Sequence, residues 1–158
     1  MPDLSLKDKV AIVTGGSGDI GGAIARKLAE QGATTIATYV GNEKGAIELV
    51  QSIQDKGGIA RAVQMDQRSP ESVNLLMENV RKTEGSLDIL INNAAWNIGI
   101  PFPQLDALTP EIWDRVLETN VRGPFLLARA GETMLKSGLG GHIVNISSAG
   151  GISPGSSS

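Results

Sequence analysis

The chain has 158 residues, 41% hydrophobic and 20% charged, with 17 acids against 14 bases and a net charge of −3. That length suits one domain with its own core, and a mildly acidic surface gives no electrostatic grip on phosphate backbones, so nucleic acid is not an expected partner. The sequence holds no cysteine, which excludes a disulfide scaffold and a thiolate site, and no metal is expected. Neither Met1–Lys9 nor any later run has the apolar length of a signal core or a membrane span, so a cytoplasmic location off the membrane is the expectation. With aromatics at 3%, aliphatic residues and alanine must fill the core, as suits a parallel sheet covered by helices.

Lys9–Thr14 is a β-branched apolar run ending in a glycine cluster and predicts the first strand. Ile20–Gln31 turns helical, with Ile20, Ile24 and Leu28 on one face and Gly32 closing the helix. Thr34–Tyr39 predicts the second strand. Glu43–Lys56 predicts a second helix with Ile47, Val50 and Ile53 facing inward. Arg61–Met65 reads as the third strand, and Ser69-Pro70-Glu71 starts a helix, proline in its first turn, that runs to Thr83. Leu87–Ile91 predicts the fourth strand, Pro110–Lys136 is mostly helical, and Gly141–Ser147 predicts the fifth strand, before a tail of loop composition at Ser153–Ser158. Strands separated by helical crossovers define an α/β, Rossmann-type doubly wound parallel sheet, one domain over 1–158. Right-handed crossovers with a nucleotide at the switch point give the order 3-2-1-4-5.

Thr14-Gly15-Gly16-Ser17-Gly18-Asp19-Ile20-Gly21 lies between the first strand and the first helix. Free amides and the positive end of the helix dipole converge at such a turn, and glycines admit a pyrophosphate close to the backbone. Gly16, Gly18 and Gly21 fit the G-x-G-x-x-G spacing. Any tight strand-to-helix turn also uses glycines, but the strand before and the helix after favour the nucleotide reading.

Three further motifs follow in order: Asn92-Asn93-Ala94-Ala95, Asn120-Val121 and Asn145-Ile146-Ser147-Ser148. With the glycine turn they resemble the classical branch of the short-chain dehydrogenases/reductases, over essentially the whole chain. The resemblance implies an NAD(P)-dependent oxidoreductase, truncated after the fifth strand. It transfers hydride between nicotinamide and a carbonyl or secondary alcohol, in the manner of 3-oxoacyl reductases or sugar and polyol dehydrogenases. Asp19 and Ala95 stand where the family usually has glycine. Read as T-G-x-x-G-x-x-G, Gly15, Gly18 and Gly21 resemble the extended branch instead, while Asn92, Asn93 and Asn120 favour the classical one. Asp19 puts an acid beside the pyrophosphate, but a helix N-terminus favours acids, so its side chain is expected to cap locally.

By the same resemblance the dinucleotide lies against Gly15, Ser17, Gly18, Asp19, Ile20 and Gly21, then Tyr39 and Asn42, with Asp66 on the adenine amino group and Asn92 and Ala94 beside the ribose. An NAD site needs a carboxylate at the end of the second strand. Thr38–Lys44 has none directly there, so NADP is preferred over NAD, with Asn42 as a donor and Lys44 as a charge. Asn42-Glu43 equally reads as the start of the next helix with Lys44 solvated. Trp96, Asn97 and the loop to Pro103 are candidates for the substrate pocket, and Trp96 is equally a packing residue.

Ser148 is the residue that, by resemblance, hydrogen-bonds the substrate oxygen, with Ser147 as the competing choice. Asn120 has an argument of its own. Pro124 has no N–H, so in a continuous helix the Asn120 carbonyl loses its donor, which predicts a free acceptor and a kink. In the family that carbonyl holds a water of the proton relay. The family's Tyr-x-x-x-Lys pair falls beyond Ser158, Tyr39 is on the wrong strand, and His142 reads as structural, so these residues alone are expected to be inactive. The alternative is a non-catalytic NAD(P)-binding fragment or sensor. Beyond the dinucleotide and a small carbonyl or alcohol substrate, the full-length form is expected to be a homo-oligomer. Ile143-Val144-Asn145-Ile146 would form an unpaired apolar edge, so the 158 residues alone are expected to self-associate, and gel filtration showing a clean monomer would refute this.

Overall fold

The computed structural model describes residues 5–137 and 140–151; the tail at Ser153–Ser158 lies outside the described residues. Five parallel strands, β1 (Val10–Val13), β2 (Thr34–Tyr39), β3 (Ile59–Gln64), β4 (Ile89–Asn92) and β5 (His142–Asn145), pair in the order β3-β2-β1-β4-β5. Between them lie the helices α1 (Asp19–Glu30), α2 (Glu43–Gln54), α3 (Pro70–Thr83), α4 (Pro110–Leu117) and α5 (Gly123–Leu135). The strand order is the expected one, with its switch point between β1 and β4.

Alternation along β1 splits the core into two faces. Val10 and Ile12 join Ile36, Leu90 and the large side chains of α3 and α5, among them Leu76, Val80 and Leu127. Ala11 and Val13 face α1 and α2 through Ala25, Ala29, Ala37, Leu49 and Ala60. The first face is built of leucine and valine, the second largely of alanine. Small residues let α1 lie close to the sheet, and the buried faces are rotated by about one residue from the expected ones, Ile53 alone of the expected set being fully buried. The buried residues of α1 are Gly21, Gly22, Ala25 and Ala29, while Ile20 is 62% exposed and Ile24 and Leu28 pack at the margin. On α2 the buried set is Ala46, Leu49 and Ile53, with Ile47 exposed and Val50 at the rim. On α1 side-chain size misleads, because burial went to the residues that permit close approach.

Local chemistry explains the element ends. Gly32 takes φ +94°, the left-handed conformation that ends α1. Ser69 caps α3 by accepting from the Ser72 N–H, with Pro70 in the first turn. The fourth strand starts at Ile89 rather than Leu87 because Asp88 intervenes. Its backbone N–H donates to the Val10 carbonyl while its carboxylate accepts from the Val10 N–H at 2.9 Å and from Lys9 Nζ at 2.9 Å. β3 begins two residues earlier than expected, where Ile59 pairs with Thr34. All four residues of β5 are exposed.

The Pro110–Lys136 stretch is mostly helical, as expected, and just before Pro124 the helix widens for one turn. Glu118–Arg122 adopts π geometry, with the Gly123 N–H bonded five residues back to the Glu118 carbonyl. Asp19 is likewise corrected. It opens α1 in the first turn but makes no cap hydrogen bond; Gly18 occupies the cap position. Among the described residues no helix is long and apolar enough to cross a membrane.

Candidate functional site

The site grows from Thr14, which is fully buried at the end of β1. Its hydroxyl donates to the Ile91 carbonyl at 3.3 Å and accepts from the N–H groups of Asn93 at 3.0 Å and Ala94 at 2.9 Å. Asn93 returns the contact by donating from Nδ2 to the Thr14 carbonyl at 2.9 Å. The ends of β1 and β4 are thus knotted together, and the glycine turn leaves from the knot. Gly15 sits at φ +67°, where a side chain is strained. A Cβ on Gly21 would collide with the Gly15 carbonyl and stand 2.7 Å from Asn93 Nδ2. Gly18 is exposed, and among the described residues no side chain caps the N-terminus of α1.

Two cavities flank the turn. One, of about 240 Å³, gathers Gly15, Ser17, Tyr39, Asp66 and Ala94 from the expected set, together with Val40, Gln67, Arg68, Trp96 and Arg115. The other, of about 480 Å³, gathers Ser17, Gly18, Asp19 and Asn42 with Arg26, Lys44 and Glu48. Ile20, Gly21, Asn92, Asn120 and Ser148 line neither. Trp96 therefore faces the Asp66 cavity, where the guanidinium of Arg115 lies 4.2 Å from the centre of its ring.

Asp66 is already well partnered. Its carboxylate accepts from the Arg68 N–H at 2.9 Å and from Arg68 Nη2 at 2.6 Å, and hydrogen bonding from Arg68 holds it below the ordinary carboxylate range. Asn42 caps α2 by accepting from the Gly45 N–H and donates to the Ser17 carbonyl at 3.2 Å, docking the turn after β2 onto the glycine turn. Tyr39 donates from its hydroxyl to Glu43 at 3.2 Å, and Lys44 is exposed and 3.8 Å from Glu48.

Asn120 stands in the π turn with both ends of its amide engaged. Oδ1 accepts from the Trp96 N–H and Nδ2 donates to the Trp96 carbonyl, each at 2.8 Å. It is therefore not a loose surface asparagine beside a Gly-Pro kink. Asn92 donates to Asn145 Oδ1 at 2.8 Å, tying β4 to β5, and its own Oδ1 is buried without a partner. Ser148 is exposed beyond β5 and accepts from the Gly150 N–H at 3.2 Å, a turn contact that leaves its proton to donate elsewhere. Sequence reasoning overlooked Thr14 as the knot, Arg26 as a cation beside Lys44, and Gln67. Only Thr14 carried a readable signal, as a polar residue closing an apolar strand.

A parallel sheet with an uncapped helix and a glycine turn at its switch point defines a nucleotide-binding α/β protein. The chain belongs to the short chain dehydrogenase family, whose sequence model matches residues 9–158. It is 37% identical over 144 residues to 3beta-hydroxysteroid dehydrogenase 1 of Eggerthella lenta, covering 90% of this chain and 54% of that one. It is 35% identical over 144 residues to glucose 1-dehydrogenase 2 of Bacillus subtilis, covering 90% and 55%. Among solved structures, a short chain dehydrogenase from Burkholderia cenocepacia J2315 in complex with NADP superposes with a TM-score of 0.88 at 36% identity, over 96% of this chain and 60% of that one. The chain thus spans about half the length of the curated relatives it matches.

Two outcomes follow from this geometry. Thr14→Val keeps the shape but leaves the half-buried N–H groups of Asn93 and Ala94 without their acceptor. It should lower stability by about 2 kcal/mol or more, seen as a reduced urea midpoint at unchanged slope. For Asp66 the folded-state pKa is depressed, so its pairing with Arg68 stabilises fully above the unfolded carboxylate value and is lost as pH falls through the folded one. The stability gap between the protein and Asp66→Asn should be flat above about pH 5 and shrink below about pH 4 in urea titrations.

Proposed function

We infer that the chain is one nucleotide-binding domain that holds NADP(H), in preference to NAD(H), across the glycine turn and the Asp66 cavity. The observation that carries this is the uncapped N-terminus of α1 beside Gly18, flanked by the two cavities at the carboxyl edge of the sheet. The donor set fits the group. In this reading Gly15, Ser17, Gly18, Asp19, Ile20 and Gly21 present backbone to a pyrophosphate, Tyr39, Asp66 and Ala94 line the cavity for the adenosine and its ribose, and Asn92 supports the ribose side from the end of β4. Asn42, Lys44 and Arg26 border the cavity on which a 2′-phosphate would bear, and Glu43, at the start of α2 rather than at the end of β2, is engaged with Tyr39. The NADP complex of the Burkholderia relative supports the choice.

The reading for the protein at its natural length is an oxidoreductase acting on a carbonyl or secondary alcohol in the cytoplasm. The bound nicotinamide supplies or accepts the hydride. Ser148 hydrogen-bonds the substrate oxygen, and the carbonyl of Asn120, whose helical donor Pro124 cannot supply, holds a water for proton exchange. A homo-oligomer is proposed because Trp113, Leu117, Val121 and Phe125 recur every fourth residue and are all exposed, an apolar stripe along α4 and α5. Fluorescence titration of the protein at its natural length should show NADPH bound about tenfold more tightly than NADH, and Lys44→Glu with Arg26→Ala should narrow that gap. Binding of neither nucleotide would overturn the reading. With NADPH bound, Ser148→Ala should lower kcat about 100-fold, as removal of one oxygen-stabilising donor does.

A further inference from the structure

In an α-helix each carbonyl accepts the N–H four residues on. Around Asn120 this is broken twice. Gly123 donates to Glu118, so the Thr119 carbonyl loses the donor that α geometry would bring, and Pro124 has none for Asn120. The Thr119 carbonyl is instead taken from outside the helix by Gln67 Nε2 at 2.7 Å, and the same nitrogen donates to the Ala94 carbonyl at 3.0 Å. Gln67 is 4% exposed, and its Oε1 is buried with no hydrogen-bond partner. Two carbonyls converge on one amide, so only a donor fits there, and the orientation is held at the expense of an orphaned acceptor. Gly123 makes the room. A Cβ built on it would stand 2.7 Å from Gln67 Cγ.

We propose that Gln67 is the positioning residue that keeps the Glu118–Arg122 turn wide and so sets where Asn120 stands and, through its clamp, where Trp96 stands against the Asp66 cavity. The contacts close a ring. Gln67 holds Thr119, the neighbouring Asn120 clamps Trp96 by N–H and carbonyl, and Ala94, two residues before Trp96, returns to Gln67. Three separate elements meet in that ring: the turn after β3, the turn after β4 and the π turn. An apolar side chain at position 67 would leave both carbonyls without a donor and draw the Gly123 N–H back toward Thr119, rotating Asn120 out of register with Trp96. The functional weight of this device rests on the dinucleotide reading above; the geometry does not.

The test is amide hydrogen exchange on Gln67→Met in the protein at its natural length, followed by NADPH titration. Methionine fills similar space and removes the orphaned acceptor, which offsets part of the cost of leaving the Thr119 and Ala94 carbonyls without their donor. Exchange at the Trp96 amide should quicken about tenfold, the factor one ordinary hydrogen bond carries, with Ile12 and Leu90 unchanged and NADPH bound more weakly. Gly123→Ala, which pushes Gln67 aside without altering it, should give the same pattern and decides the matter if the methionine variant does not fold. Loss of protection spread evenly over Ile12, Leu90 and Trp96 with a lower Tm would make Gln67 a packing residue only and overturn the proposal, as would no change anywhere. If the unmutated protein does not bind NADPH, the dinucleotide reading falls while the exchange pattern still decides the role of Gln67.

Discussion

One buried hydroxyl organises the carboxyl edge of this sheet. Thr14 donates once and accepts twice, and through Ile91, Asn93 and Ala94 it fixes the end of β1 to the end of β4. Those two strands flank the switch point, where the helical connections leave for opposite faces and a crevice opens. Without the knot, the glycine turn and the Ala94–Trp96 segment would be two loops on separate strands. With it they are two walls of one site, and Asn93 Nδ2 reinforces the join from the other side.

The third wall comes from the α4–α5 rod, and the departure from α geometry is what lets it participate. A regular helix satisfies its own backbone and offers only side chains. The π turn releases a carbonyl, and Gln67 uses that carbonyl to reach from β3 to the rod. Charged groups follow the same path. Arg122 pairs with Glu118 at 3.0 Å and donates to the Arg68 carbonyl at 3.1 Å, while Arg68 grips Asp66. Polar contacts thus run from the end of β3 to the middle of the rod.

Much of this is legible in the residues. Strand order follows from alternation of apolar runs with helical periods, and the start of α3 from Ser69-Pro70. The glycine turn, the Asn92–Ala95 stretch and Asn120 all arrive at the same edge of the sheet. The helix faces are only partly legible: Ile53 faces in as its spacing suggests, but ranking residues by size also points to Ile20 and Ile47, while the sheet accepts Ala25, Ala29 and Ala46. The ladder position taken by the Asp88 carboxylate is not legible, because it depends on a side chain imitating backbone. Pro124 signals a lost donor, but whether the chain breaks or widens depends on a partner far away in sequence, Gln67. Arg26 escapes notice for the same reason: it lies on α1, and only folding sets it beside Lys44.

The contrast between the two faces of the sheet has a consequence for how such a chain can change over generations. On the α3–α5 face, Ile12, Leu76, Leu90 and Leu127 are large and buried, so the harmful changes are losses of volume, and exchange among big aliphatics is tolerated. On the α1–α2 face the harmful change is gain. A single added methyl at Gly16 would stand 2.6 Å from the Ala37 side chain, and Ala11, Ala25 and Ala37 are all fully buried with no slack. Drift is therefore free in shape but not in size on one face, while on the other the positions held by glycine and alanine cannot grow. The nucleotide-side helix is held to the sheet by the scarcity of atoms between them.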